Sequence, residues 1–349
     1  MHNEPVRSTL IRDRWYIAAF SEEVSRTPLE RTIFGDPVVL YRTEAGEAVA
    51  MFGLCPHRFY PLARGELKGD SIVCGYHGFE FDRSGKCVFV PSQGTGTGYR
   101  QPVYTVVEQA PLIWIWIGEQ ARCDPALIPP YAEFQLGEPG WKHCAHTRLY
   151  MRGRYELLID NVMDLSHVHY LHGVAGDSYA QGRQEQEQRA RSFRLTQRSR
   201  VPWNDYFAFL FSAAARFEGL AQVESVTDFY GPELIRTSIP VVTAVEGSDS
   251  VPDTLGRQYA LHGITPETEH STHYFGLLNR NFRLEDEGYD DMALQSSMDI
   301  RQQDIEAIEA IEGRFDEALS RQPMMLVQAD RHAIKVRGLL DRMREAALP

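Results

Sequence analysis

Four residues in the stretch CPHRFYPLARGELKGDSIVCGYHG (55–78) carry metal-binding side chains. Cys55 and His57 form a Cys-x-His pair, and Cys74 and His77 a Cys-x-x-His pair, with sixteen residues between them. Thiolate and imidazole suit zinc and iron. Each pair contains or precedes a loop residue (Pro56, Gly75, Gly78), which places each on a tight turn at a strand end. Such a set can bind a structural zinc. It can equally hold a [2Fe–2S] cluster, with two thiolates on one iron and two imidazoles on the other. Zinc fingers of this composition keep both cysteines in one half and both histidines in the other. Here each half is mixed, which favours the cluster. Cys87, Cys123 and Cys144 lack paired ligand spacing and read as structural thiols.

A second concentration of ligand residues lies in NVMDLSHVHYLH (161–172). On a helix, Asn161, Asp164 and His167 step by three along one face. His172 joins them if the helix ends near Gly173, a stop signal. His169 points away from that face and reads as a packing or hydrogen-bonding residue. A mononuclear non-haem iron takes two histidines and one carboxylate and keeps open positions. The carboxylate is expected from SMDIRQQDIEAIEAIEGRF (297–315), where Ile300, Ala307, Ile308 and Ile311 form an apolar stripe and Asp304 falls on it. Glu306 and Glu309 lie off the stripe and read as a solvated face. A carboxylate on the buried side of a helix is costly unless paired or metal-bound, so Asp304 is the expected third ligand beside His167 and His172.

These residues need elements to position them. The first third of the chain reads as short strands (WYIAAF, PVVLYRT, AVAMFGL, SIVCGYH, FEFDRSGKCVFV, YTVVEQ, LIWIWIG), each rich in β-branched or aromatic residues and bounded by turn formers. This predicts an all-β domain over residues 1–120, and the Pro-rich segment ARCDPALIPPYAEF follows as a boundary. Residues 121–349 read as α+β. A helix in YELLIDNVMDLSHVHYLH is followed by strands in YFAFLFSAAARFEG, ESVTDFYG, LIRTSIPVVTAV, RQYALHGI and STHYFGLLNRNF, then by helices over 286–320 and 326–346. The chain of 349 residues is long enough for two such domains. Its formal charge of −12 excludes the basic surface that a nucleic-acid binder needs. MHNEPVRSTL has no apolar core of a secretory signal, and PLIWIWIG is far shorter than the roughly 20 residues that span a bilayer. Five cysteines, sparse and odd in number, do not form a disulfide framework. The expectation is a soluble cytoplasmic enzyme without a membrane or nucleic-acid partner.

The first constellation resembles a Rieske iron–sulfur domain. Both together resemble the Rieske non-haem iron oxygenases, in the single-chain group that contains vanillate O-demethylase, dicamba O-demethylase and toluenesulfonate methyl-monooxygenase. The resemblance runs through DRWYIAAFSEEV, the cluster stretch, LIWIWIG, LLIDNVMDLSHVHYLH, HGITPETE, HYFGLLNRNF and QQDIEAIEAIE. Respiratory Rieske proteins carry two further loop cysteines, which Arg58, Phe59 and Tyr76 show to be missing here. One local departure, FYPLARGEL, puts Phe59 and Tyr60 where the group commonly has smaller residues.

The resemblance implies an N-terminal all-β Rieske [2Fe–2S] domain and an antiparallel-sheet, helix-grip catalytic domain. Cys55, His57, Cys74 and His77 would hold the cluster, and His167, His172 and Asp304 a mononuclear Fe(II). Asn161 matches an asparagine close to that iron. Asp164 matches an aspartate that bridges a cluster histidine of one subunit and an iron histidine of the next, in a cyclic homotrimer. The implied reaction hydroxylates a C–H bond with O₂ and two electrons from NAD(P)H. Because no G-x-G-x-x-G opens a helix after a strand, a separate reductase supplies them, directly or through a ferredoxin. His262 matches a histidine that contacts a substrate carboxylate, and Arg236 falls near another polar contact. Together they point to a substituted aromatic acid, O-demethylated at a methoxy group or hydroxylated at an aryl methyl. Ring cis-dihydroxylation uses the same ligands and remains an alternative. A Rieske-type electron carrier would leave the second constellation without a purpose.

Overall fold

The computed structural model describes residues 10–173, 182–203, 220–238, 241–245 and 256–346. The chain divides into two compact units, one running to Ile128 and including Thr265–Glu269, the other made of Pro129–Ile264 and the residues from His270 onward. The division falls within ARCDPALIPPYAEF.

The first unit is built of β-strands and short single turns. Its longest apolar run becomes the strand Leu112–Ile117, with all six residues buried. It lies at the centre of a three-stranded antiparallel sheet, between Arg14–Phe20 and Val106–Gln109. An unbroken apolar run is what a strand covered on both faces requires. A second sheet orders Leu29–Ile33, Asp36–Arg42, Ala48–Phe52 and Val103–Tyr104. The third, which carries the ligand loops, orders Glu66–Lys68, Ser71–Val73, Glu80–Phe81 and Cys87–Phe89. The DRSGK turn closes its last hairpin through Asp82, whose carboxylate accepts from the N–H groups of Ser84 (2.9 Å) and Lys86 (3.0 Å). Beneath the loops Val39, Tyr41, Met51, Leu62, Ile72 and Phe81 pack around Cys55, Cys74 and Cys87.

The second unit is α+β. Its antiparallel sheet has eight strands among the described residues, in the order Lys142–Met151, Ser271–Arg280, Gln258–Thr268, Leu234–Ser238, Leu220–Gly231, Phe193–Pro202 and Arg183–Gln188, with Val241–Val245 also paired to Leu220–Gly231. The strand expected in YFAFLFSAAARFEG lies outside the described residues. The long helix Glu287–Glu312 starts at Asp286, whose carboxylate accepts from the Tyr289 N–H at 2.9 Å. It packs along Lys142–Met151.

The single helix expected over 286–320 is two, Glu287–Glu312 and Phe315–Arg321, separated at Gly313. The last helix begins at Arg331 rather than at 326, after a single turn over Gln328–Asp330, while Pro323 bars the preceding helix from continuing past Arg321. The buried stripe of the long helix runs through Arg301, Asp304, Ile305 and Ile308, while Ile311 is exposed. The stripe is thus turned from the expected one, yet it retains Asp304.

Ion pairs hold the helix Tyr155–Met163 in place. The guanidinium of Arg154 donates to both Glu312 oxygens (2.8 and 2.9 Å), and the Arg152 N–H donates to Glu309 at 2.8 Å. Glu309, expected on a solvated face, is therefore part of this attachment. From the other side Arg337 of the last helix pairs with Asp160 at 2.9 and 3.0 Å, and Arg344 with Glu156.

Candidate metal centres and substrate pocket

The two Cys/His loops share one backbone plan. The Cys55 N–H donates to the Tyr60 carbonyl at 2.9 Å, and the Phe59 N–H to the Cys55 carbonyl at 2.8 Å. In the second loop the Cys74 N–H donates to Phe79 at 2.8 Å and the Gly78 N–H to Cys74 at 2.9 Å. The fourth residue after each cysteine has a left-handed φ, +56° at Phe59 and +70° at Gly78. Glycine adopts this freely, whereas a residue with a Cβ loses about 1–2 kcal/mol there. Cys55 and Cys74 are buried while His57 and His77 face solvent. The imidazoles stand edge-to-face with ring centres 4.6 Å apart, and His57 stacks on Phe79 at 4.7 Å.

Burial, then the neighbouring thiols, push the Cys55 thiol above its usual range. A thiolate is stable in this apolar setting when a metal cation shares its charge. Partial desolvation, and then His77 and Arg58, keep His57 below its usual pKa and neutral, the form that binds a metal. Two thiols inside and two imidazoles outside fit a cluster whose cysteine-held iron is buried and whose histidine-held iron meets the surface.

The second site is assembled by a helix break. Tyr155–Met163 stops at Asp164, which leaves helical geometry (φ −119°, ψ +98°), and a new single turn, Leu165–His167, begins. The Asp164 carboxylate accepts from the Ser166 N–H at 2.9 Å and so caps the new turn. The expectation that Asn161, Asp164 and His167 lie along one face of a continuous helix is corrected here. Asn161 and His167 meet at Asp304 because the chain turns at Asp164, and Val168–Leu171 then carries it on to His172.

His167 Nδ1 meets the Asp164 carbonyl oxygen at 2.6 Å, and His172 Nδ1 meets Gln303 Oε1 at 2.8 Å. Both partners only accept, so both Nδ1 atoms carry the proton, and each neutral ring turns its Nε2 lone pair inward. Those lone pairs face the same atom, Asp304 Oδ1, at 3.4 and 3.2 Å. Three acceptors aimed at one another repel unless the rings are protonated or a cation lies among them. Ligand atoms about 2.1 Å from one metal, at right angles, stand about 3 Å apart, so the spacing suits a shared cation. Donor atoms of His167, His172 and Asp304 all lie within 4.8 Å of one another. Two imidazoles and one carboxylate form the donor set that suits a non-haem Fe(II).

Burial opposes the Asp304 charge, but where the His167 and His172 rings are protonated in place of a cation, their hydrogen bonds outweigh it and hold the carboxyl far below its usual range. Asn161 Nδ2 also donates to Asp304 Oδ1, at 3.1 Å. His169 is exposed and is not among the clustered donor residues.

His262 and Arg236 do not share a pocket. In the pairing of Leu234–Ser238 with Gln258–Thr268, Ile235 lies opposite His262 and Arg236 opposite Leu261. Opposed residues share a face and successive residues alternate, so the two side chains lie on opposite faces of the sheet. Arg236 is ion-paired with Asp228 (Nε–Oδ2 3.0 Å), donates to the Glu133 carbonyl and lies 4.5 Å over Tyr259. Its counter-charge comes from the chain itself, and the argument from Arg236 to an anionic substrate lapses. His262 bonds Tyr274 Oη through Nδ1 at 2.5 Å and Thr237 Oγ1 through Nε2 at 3.0 Å. Burial, and then Arg301, push its imidazole down to about 3, so it is neutral. Thr237, Tyr274, Arg301 and Gln303 were not expected from sequence. Arg301 had a readable signal, since it lies one turn before Asp304.

Comparison with known proteins follows the same division. Residues 14–108 match the family described as Rieske [2Fe-2S] domain, and residues 151–346 the vanillate O-demethylase oxygenase C-terminal domain. The chain is 33% identical over 353 residues to the oxygenase component of dicamba O-demethylase from Stenotrophomonas maltophilia, covering 97% of this chain and 98% of that protein. It is 33% identical over 346 residues to the iron–sulfur subunit of the toluene-4-sulfonate monooxygenase system of Comamonas testosteroni, covering 96% and 97%. Its fold is similar to that of dicamba monooxygenase solved with non-haem iron and dicamba, with a TM-score of 0.80, 29% identity, and coverage of 97% and 98%.

Proposed function

We infer the function from one premise: the chain belongs to the Rieske non-haem iron oxygenases, in the family whose catalytic domain is that of the vanillate O-demethylase oxygenase. It is the oxygenase component of such a system, and its cofactors are a [2Fe–2S] cluster and a mononuclear non-haem iron. We assign the cluster to Cys55, His57, Cys74 and His77, and the iron to His167, His172 and Asp304. When bound, these groups take up electrons singly and activate O₂ for insertion into a C–H bond.

The proposed reaction is monooxygenation of a substituted aromatic acid. On an aryl methyl ether, O₂, two electrons and two protons give water and a hemiacetal, which collapses to the phenol and formaldehyde. On an aryl methyl the product is the alcohol. The chain's residues hold the reacting groups in register. The Asp164 carbonyl and Gln303 fix both imidazole tautomers, Asn161 holds Asp304, and neutral His262 lies with Tyr274 on the sheet face where a substrate acid group is to be received. The observation that carries the reading is the convergence of two Nε2 lone pairs on Asp304 Oδ1.

The proposed assembly is a cyclic homotrimer in which head-to-tail contacts close on themselves. Asp164 would join a cluster histidine of one subunit to His167 of the next. Its place at the helix break, directly before the turn that carries His167, supports this role. Electrons come from NAD(P)H through a separate reductase, directly or through a ferredoxin, which sets the reaction in the cytoplasm.

The test is the metal content of anaerobically purified protein, its EPR spectrum after dithionite reduction, and turnover of methoxy- and methylbenzoates under ¹⁸O₂. The expected result is about three irons per chain, a rhombic signal of low average g, one labelled oxygen in the alcohol from a methylbenzoate, and formaldehyde with an unlabelled phenol from a methoxybenzoate. A colourless zinc protein would end the oxygenase reading. Two labelled oxygens on a ring diol would replace monooxygenation by dihydroxylation.

A further inference from the structure

The buried charge of Arg301 has had no role so far. Arg301 is 4% exposed and stands on the long helix one turn before Asp304. Arg31, Arg236 and Arg280 are also buried, and each faces a carboxylate: Glu23, Asp228 and Asp290. Arg301 instead donates to the Leu261 carbonyl (3.3 Å) and the Ser297 hydroxyl, and its Nε has no partner. Among the described residues its contacts include no carboxylate. Asp304, the nearest acid along the helix, is taken up by Asn161, His167 and His172.

The surroundings are shaped for this side chain. A Cβ at Gly276 would fall 2.5–2.8 Å from its Cζ, Nε and Nη1, so the glycine leaves the room that the guanidinium fills. Its Cζ lies 5.4 Å from the centre of the Tyr274 ring, and Tyr274 bonds His262. The guanidinium thus adjoins a hydroxyl and a neutral imidazole, none of which offers a negative charge. A buried cation without a counter-ion is costly, and a metal cation beside Asp304 adds positive charge to the same region. An anion received there meets a planar fork of donors.

We propose that Arg301 is a specificity-determining residue that receives the acid group of an aromatic carboxylate or sulfonate, beside His262 and Tyr274. This rests on the oxygenase reading above and takes the place of the contact first sought at Arg236. If Arg301 served only to fasten the helix to Leu261 and Ser297, its loss would weaken the fold and affect acids and amides alike.

The test is anaerobic calorimetric binding to the metal-loaded protein of two matched pairs, 4-methoxybenzoate with 4-methoxybenzamide and 4-toluenesulfonate with 4-toluenesulfonamide. Wild type, Arg301→Gln and Arg301→Lys are compared. Wild type is expected to bind at least one acid about tenfold or more tighter than its amide. Arg301→Gln should bring that ratio close to one, and Arg301→Lys should keep part of it, since it retains the charge and loses the fork. A wild type that prefers neither acid, or an Arg301→Gln protein that keeps the preference, overturns the proposal. If Arg301→Gln fails to fold, the wild-type ratio and Arg301→Lys decide, and an undiminished ratio in the lysine variant counts against the fork. Iron content and the EPR signal of the same samples separate the two readings. Intact centres without acid preference sink the Arg301 assignment alone, whereas missing centres sink the oxygenase reading.

Discussion

At the scale of single residues, the proposed iron site depends on which nitrogen of each imidazole carries the proton. The Asp164 carbonyl and Gln303 decide this, and with Nδ1 protonated both Nε2 atoms, which face Asp304, keep a lone pair for a metal. Gln303→Ala should therefore weaken iron binding about 10–100-fold, the usual effect of removing a partner that orients a ligating histidine. Iron titration of apoprotein against a chelator checks this. The visible spectrum of the cluster should be unchanged in the same variant, because its ligands lie in other loops. Equal loss of both signals would mean that Gln303 acts on folding rather than on the ring.

At the scale of elements, the helix that brings Asn161 toward Asp304 is held by charge. Glu312 takes both arms of the Arg154 guanidinium, and His270 Nδ1 lies 2.8 Å from its Oε1. Burial raises its pKa, but the Arg154 and His270 hydrogen bonds outweigh this and pull it down to about 2, against 4.5 for a free glutamate. A carboxyl with a depressed folded-state pKa contributes stability that is complete above the unfolded value and is lost as pH falls through the folded one. Glu312→Gln should lower stability by about 1–2 kcal/mol at pH 7, allowing for partial solvent screening. The difference from wild type should shrink as pH falls from about 4.5 toward 2. Urea midpoints across that range measure it, and a constant difference would show that the carboxylate charge is not the cause.

At the scale of the whole molecule, the chain contains one domain to accept electrons and one to use them, and both match the family over most of their length. The sequence has no G-x-G-x-x-G that opens a helix after a strand, and no described helix is long and apolar enough to cross a membrane. NADH with the purified protein and an aromatic substrate should give no product. Dithionite-reduced protein exposed to O₂ should give up to about one turnover per chain, and a reductase should restore continuous turnover. Steady NADH oxidation by the chain alone would refute the division of labour between two proteins.

Much of this was legible in the sequence because its physics is local. Each Cys/His loop is closed by backbone bonds that span at most five residues, so C-x-H and C-x-x-H report a geometry as well as a composition. The strands announced themselves by apolar runs, and Asp304 by its place on a buried stripe, where a charge needs a reason. The helix through 155–172 was misread because a side chain, Asp164, competes with the backbone and ends it. The faces of Arg236 and His262 were out of reach for a different reason. In a strand a shift of one residue exchanges the faces, and register is set by pairing partners distant in sequence. The counter-ion of Arg236 and the lack of one at Arg301 are likewise properties of the assembled sheet and helix. Ligand identity was thus written locally, while tautomer, face and charge balance were decided by tertiary structure, because each depends on groups brought together from far along the chain.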